Sequence, residues 1–200
     1  MSDIRPVKDY LNSCVPFNVG FRNSSGDKII IQNPECCHIG DVLKYVDENL
    51  TYVNYLAFHC FASSYEQLAT LHSENKIELS TNRDVVPQGN CWYVHKDYRA
   101  TPWHFTTAIT RKNLSELNGF DERLAYGRGS DDVEFLYRIK KLNLDINFVE
   151  EPYVIHQWHG KGGATSFAPS SGVNNSILSH EILQSGIIRA LNDEDILCGT

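Results

Sequence analysis

The chain has 200 residues, 42% of them hydrophobic, enough to bury a core in one domain or most of one, which excludes fibrous, collagenous and disordered classes. Its formal charge of −7 comes from interspersed acids and bases rather than a run, which argues against nucleic acid or an anionic membrane as the main partner. No apolar window approaches the roughly 20 residues that span a bilayer, and the opening "MSDIRPVKDYLNSC" has no apolar signal core, so the chain reads as soluble and cytoplasmic, with no membrane segment.

In chain order, strand and helix signals alternate. "KIII" (Lys28 to Ile31), after the turn "NSSGD", predicts a short strand buried on two faces. "GDVLKYVDENL" carries Val42, Leu43 and Val46 at helical spacing, and "TYVNYLAFHCF" (Thr51 to Phe61) is a longer aromatic and β-branched strand. "SYEQLATLHSEN" and "RKNLSEL" read as short helices, "DDVEFLYRIKKLNL" as a longer one, and "INFVEEPYVIHQWH" as one or two strands. From Gly160 the stretch "GKGGATSFAPSSGVNNS" loses periodicity and predicts a mobile loop, after which "ILSHEILQSGIIRAL" recovers helical spacing. Such βα alternation favours a mixed α/β fold.

Six cysteines stand at Cys14, Cys36, Cys37, Cys60, Cys91 and Cys198 without a C-x-x-C pair. Reduced, mostly buried thiols are the favoured reading over a disulfide framework, which secretion would restore.

The stretch "NGFDERLAYGRGSDDVEFLYRI" sets two carboxylates, Asp131 and Asp132, between a glycine-rich turn and a helix. A carboxylate in a first helical turn accepts from unpaired backbone N–H groups and complements the helix dipole, so capping alone explains Asp131. Asp131-x-x-Glu134 has capping-box spacing, and Glu134 to Arg138 is a favourable i, i+4 pair. Asp132 falls on the wheel beside Leu136 and Ile139, which predicts that it faces the core or a cleft, where a carboxylate needs a donor, a metal or a substrate hydroxyl.

This stretch resembles the acceptor-side motif of glycosyltransferases with the A-type fold, in family 2 and in the β1,4-galactosyltransferase and polypeptide N-acetylgalactosaminyltransferase families. The resemblance runs from about Asn18 to His159, with its motifs in family order. It implies an α/β glycosyltransferase A-type domain over 1–160, with a donor and metal segment at 18–40, an acceptor and catalytic segment at 103–140 and a metal strand at 153–159. Residues 161–200 would form a flexible loop and a C-terminal helix.

By this resemblance Asp132 is the general base of an inverting transfer, taking the proton of an acceptor hydroxyl as it attacks a nucleotide-sugar. Asp131 stands where the family has an acceptor-binding glutamate, and Arg128 near its acceptor-stacking tryptophan. Trp103 and His104 lie on the approach to this turn, as sugar-stacking wall or as ordinary core. On the donor side, "VPFNVGFRNSSG" resembles the helix that precedes the family's Asp-x-Asp strand, which puts Asn18 and Arg22 near the donor.

The Asp-x-Asp itself is replaced by "QNPE". Asn33 takes the first position, for a ribose hydroxyl, and Glu35 the second, as an oxygen ligand for Mn2+ or Mg2+. The galactosyltransferases place a Met-x-x-His on manganese where this chain has His156 and His159, which makes His159 the first and His156 the second choice of imidazole ligand. Only 27 residues precede Lys28, so the family's first βαβ unit, which holds the nucleotide base, is expected to be missing, the sequence being a fragment, one part of a split enzyme completed by a second chain, or a trimmed fold. The implied partners are a nucleotide-sugar donor and a glycan acceptor. A non-catalytic glycan-binding remnant and a metal-dependent hydrolase built on Glu35, His156, His159 and Asp132 are the alternatives.

Overall fold

The computed structural model describes residues 12–74, 77–81, 89–159 and 170–192. They form a mixed α/β structure in the order α1 (Cys14–Asn23), β1 (Lys28–Gln32), β2 (Cys36–Ile39), α2 (Val42–Asn49), β3 (Asn54–Ala62), α3 (Tyr65–Glu74), β4 (Cys91–Val94), β5 (Thr106–Thr110), α4 (Arg111–Leu117), a 3₁₀ turn (Glu122–Tyr126), α5 (Asp131–Lys141), β6 (Asp145–His156) and α6 (Ser170–Ser185). The chain divides into two compact units, one of residues 1–25, 115–141 and 163–200, the other of 26–114 and 142–162.

The second unit holds the whole sheet, ordered β1-β5-β3-β6-β2, with β4 also paired to β3. The β3–β6 pair is parallel and the others are antiparallel. β1 and β2 end this path at opposite sides, yet only residues 33–35 separate them. Four flat inter-strand steps of about 4.8 Å would exceed the reach of so short a link, roughly 14 Å, so the sheet must curl and bring its two edges together. The Gln32 side-chain amide spans the gap, donating to the Cys36 carbonyl at 2.9 Å.

Burial follows position in the sheet. All nine residues of central β3 are buried, because both its faces are covered. Leu56, Phe58 and Cys60 join a core with Val42 and Val46 of α2, Val94 and Val154, while Phe61 on the opposite face meets Trp92 and Ile155. The expectation that Lys28 to Ile31 is buried on both faces is corrected: β1 is an edge strand that fully buries only Ile29 and Ile31. α2 begins at Asp41, whose side chain accepts from the Lys44 N–H at 2.9 Å.

In the first unit, α5 buries Asp131, Glu134, Phe135, Arg138 and Ile139, the i, i+3, i+4, i+7, i+8 stripe of an amphipathic helix. Phe135 stacks on Phe120 at 4.2 Å between centroids, and Phe120 meets Phe17 of α1 at 5.1 Å. The Glu134–Arg138 pair expected from spacing is present and fully buried, with Arg138 also donating to the carbonyls of Leu117 and Gly119 at 2.8 and 2.9 Å. Residues 170–176, expected in a loop, are the start of α6, which ends at Gly186 with φ +72°. Residues 160–169 of that expected loop lie outside the described residues. Among the described residues no helix is long and apolar enough to cross a membrane. Cys14, Cys36, Cys37, Cys60 and Cys91 are free thiols, all but Cys37 buried, and burial pushes the Cys14 and Cys60 thiols far up; Cys198 lies outside the described residues.

Candidate metal centre

The turn after β1 and the end of β6 converge. The Asn33 N–H donates to the Phe105 carbonyl at 3.0 Å and its carbonyl accepts from Cys36, so the backbone folds tightly through Pro34 and Glu35 into β2. β2 then pairs antiparallel with β6, which sets Cys36 opposite His156. The Gln157 N–H donates to the Glu35 carbonyl at 3.0 Å and extends this lacing past the strand end.

As a result the Glu35 carboxylate lies 3.2 Å from His156 Nε2. One ligand atom from each of Glu35, His156 and His159 falls within 4.8 Å of the other two. Ligands bonded to one ion at about 2.0–2.2 Å lie up to roughly 4.4 Å apart, so one carboxylate and two imidazoles fit a divalent cation after small side-chain adjustments. His156 is buried, boxed edge-on by Tyr93 and Phe105 at 5.0 and 5.6 Å, whereas Glu35 is half-buried and His159 exposed. The hydrogen bond from His156 holds the Glu35 carboxyl below its usual value, against the opposing effect of partial burial, with both histidines adding a favourable field.

On the other side of β6, the Ser63 N–H and hydroxyl donate to the His156 carbonyl, and the same hydroxyl accepts from the Trp158 N–H at 3.1 Å. Ser63 therefore fixes the backbone between the two histidines. Nothing in its sequence neighbourhood announces this role.

Other anticipated residues are spread over both units. Asn33, Trp103 and His104 share the unit of Glu35; Trp103 carries the Arg99 guanidinium 4.6 Å from its ring centroid, and His104 is buried. Asn18, Arg22, Arg128, Asp131 and Asp132 belong to the other unit. There Asn18 is buried and its amide is fully used: Nδ2 donates to the Phe120 carbonyl and to Glu122, each at 2.9 Å, and Oδ1 accepts from the Phe120 N–H at 2.8 Å. Arg22 reaches the same Glu122 carboxylate at 3.4 Å. These bonds give Asn18 and Arg22 a role in holding the 118–122 segment against α1.

The expected phase of α5 is corrected by one residue. Asp131 is the buried member of the pair and accepts from the Ser13 hydroxyl at 2.7 Å and from Asn12 Nδ2 at 3.4 Å. Asp132 is half-buried, and Arg128 is exposed. The glycine-rich turn is held from two further directions, by Asn12 donating to the Gly127 carbonyl at 3.3 Å and by Asn175 of α6 donating to those of Leu124 and Gly129 at 2.8 Å each. Gly129 and Ser130 have φ of +68° and +70°, so the chain enters α5 through a left-handed corner, where Ser130 is the unusual residue.

No family model matches the chain, and no curated protein matches it. Among solved structures, the catalytic domain of Drosophila β1,4-galactosyltransferase 7 in complex with xylobiose is similar, with a TM-score of 0.47 and 16% identity. The match covers 82% of this chain and 57% of that one, so the chain spans a little over half that structure's length.

Proposed function

We propose that the protein is a metal-dependent glycosyltransferase that moves a sugar from a nucleotide-sugar donor to a hydroxyl of a glycan, with inversion. The observation that carries this reading is the convergence of Glu35 with His156 and His159, residues 121 or more apart in sequence that the ordered motifs had assigned to one ion. Glu35, His159 and His156 would hold Mn2+ or Mg2+; when bound, the ion would supply positive charge to a diphosphate leaving group, which an acidic chain otherwise lacks. Asn33, beside Glu35, is the donor-side hydroxyl partner. Asp132, half-buried in the first turn of α5, is the general base of this reading. Arg128, Trp103 and His104 are the acceptor-side residues of this reading, while Asp131 is assigned mainly to holding the turn.

Calorimetric titration with UDP and GDP, with and without Mn2+, tests the proposal. Metal-dependent nucleotide binding that is lost in Glu35→Ala is the expected result. Manganese binding without any nucleotide binding would instead favour a glycan-binding protein with no donor site.

A further inference from the structure

Beside the metal ligands stands an aromatic pair that the proposed chemistry does not use. Trp158 immediately precedes His159, and its indole meets the Tyr65 ring at 5.3 Å between centroids, with the planes 73° apart. Tyr65, the first residue of α3, is 63% exposed, and Trp158 is half-buried. Their placement is set by the backbone: Ser63, two residues before Tyr65, bonds both the His156 carbonyl and the Trp158 N–H. Two large rings thus meet where Trp158 precedes His159, and neither is folded into either core.

We infer that Tyr65 and Trp158 form a ledge for a pyranose ring; this rests on the metal-site reading only for its location. A pyranose offers a patch of axial C–H groups on one face and hydroxyls around its rim, so it takes one aromatic face and leaves its edge to polar groups. The two rings meet edge to face, and Tyr65 is the more exposed of them, so its ring is the surface that a pyranose would take, with Trp158 as the wall behind it. Gln157, whose amide Nε2 donates to the Glu35 carbonyl at 3.3 Å, and the exposed His159 are the polar neighbours of Trp158 in the sequence. The ligand class is therefore a hexose or pentose in its ring form, free or as the sugar part of a nucleotide-sugar.

Saturation-transfer NMR tests the ledge without relying on metal or turnover. The probes are glucose, galactose, mannose, xylose and N-acetylglucosamine, together with UDP-glucose, UDP-galactose and GDP-mannose. Transfer to ring C–H protons of at least one sugar is expected, reduced at least fivefold in Trp158→Ala and in Tyr65→Ala, and retained in Trp158→Phe. Tyr65 is exposed, so Tyr65→Ala keeps the test valid should Trp158→Ala fail to fold. Absence of transfer to every sugar, signal retained in both alanine variants, or transfer confined to base protons of the nucleotides would overturn the inference. Manganese titration of Glu35→Gln judges the metal centre separately, so the ledge and the metal reading can fail independently.

Discussion

His156 Nε2 lies 3.2 Å from Glu35 Oε1, joining the end of β6 to the turn that enters β2. Without metal this contact is a hydrogen bond; in the proposed metal site the same two residues would be ligands of one ion. Glu35→Gln keeps one side-chain oxygen as an acceptor but removes the charge, so it separates the two roles. Mn2+ affinity, read by electron paramagnetic resonance of the free ion, should fall in Glu35→Gln and in His159→Ala by at least the roughly 10–100-fold that even outer-shell partners are worth. His159 is exposed, so its replacement should leave the unfolding midpoint unchanged. Unaltered affinity in both variants would exclude a shared ion.

A second histidine pair should contribute to acid sensitivity. His59 and His95 stack at 4.1 Å, and His95 continues onto Tyr98 at 4.2 Å. His59 Nε2 accepts from the Lys96 N–H, and His95 Nδ1 accepts from the N–H groups of Asp97 and Tyr98, contacts available only to neutral rings. Burial, then the neighbouring His95, pushes His59 down from 6.5 to about 4, and burial lowers His95 as well. For a base held below its unfolded value, the unfolded chain takes up the proton first. Stability is therefore full above pH 6.5 and declines as pH falls toward 4, by at most about 3 kcal/mol from His59. Urea unfolding at intervals from pH 7.5 to 4 should show this slope, and His59→Gln should flatten it.

Glu134 and Arg138 are both fully buried, so the pair is costly to break from one side. Glu134→Ala leaves the guanidinium, among the described residues, with the Leu117 and Gly119 carbonyls as hydrogen-bond partners and should cost about 3–5 kcal/mol in denaturant unfolding. A loss below about 1 kcal/mol would mean that water reaches the guanidinium.

Legibility in the sequence tracked how local each cause is. The α5 stripe and the Glu134–Arg138 pair were readable because i, i+4 spacing is a property of the helix itself. β4 and β5 were missed: "CWYV" and "TTAIT" are too short to show a period, and their strand state is imposed by pairing with β3 and β1. β2 was missed as well: "CCHI" is four residues long, and the partner that makes it a strand lies more than 100 residues away in β6. The one-residue error in α5 phase has the same origin, since Asn12 and Ser13, outside the helix, draw Asp131 inward. Glu35, His156 and His159 were brought together in the sequence reading only by motif order, because no periodicity links a turn to a strand end so distant. Ser63 and Asn175 had no signal at all; each acts through backbone carbonyls that only the fold brings near.

Gly89 tests the support of the cluster from behind. Its φ is +83°, and an added Cβ would fall 2.2 Å from the Ser63 carbonyl oxygen, a backbone atom that cannot step aside. Gly89→Ala should cost more than about 1 kcal/mol, from the left-handed strain and the clash together. Because Ser63 holds the His156 carbonyl and the Trp158 N–H, the same variant should also weaken Mn2+ binding. Lost stability with manganese affinity intact would show that the 156–159 segment keeps its place without Ser63.

Asp131 and Asp132 should separate cleanly. Asp131 is buried and bound to Ser13 and Asn12, so Asp131→Asn faces the Ser13 hydroxyl and the Asn12 amide with a neutral amide in place of a carboxylate. A hydrogen bond to a charged group is worth about 1.5–3 kcal/mol, and a loss of that order should appear in thermal or urea unfolding. Ser13→Ala should reproduce part of it. Asp132 is half-buried in the first turn of α5, and Asp132→Asn should leave stability nearly unchanged. In a protein that binds donor, however, it should lower turnover by roughly 10²–10⁴-fold, the usual worth of a positioned base, with nucleotide affinity unaltered. The two variants thus give opposite signatures, one in unfolding and one in kcat. Wild-type turnover in Asp132→Asn would remove the general-base assignment and leave both carboxylates as features of the helix start.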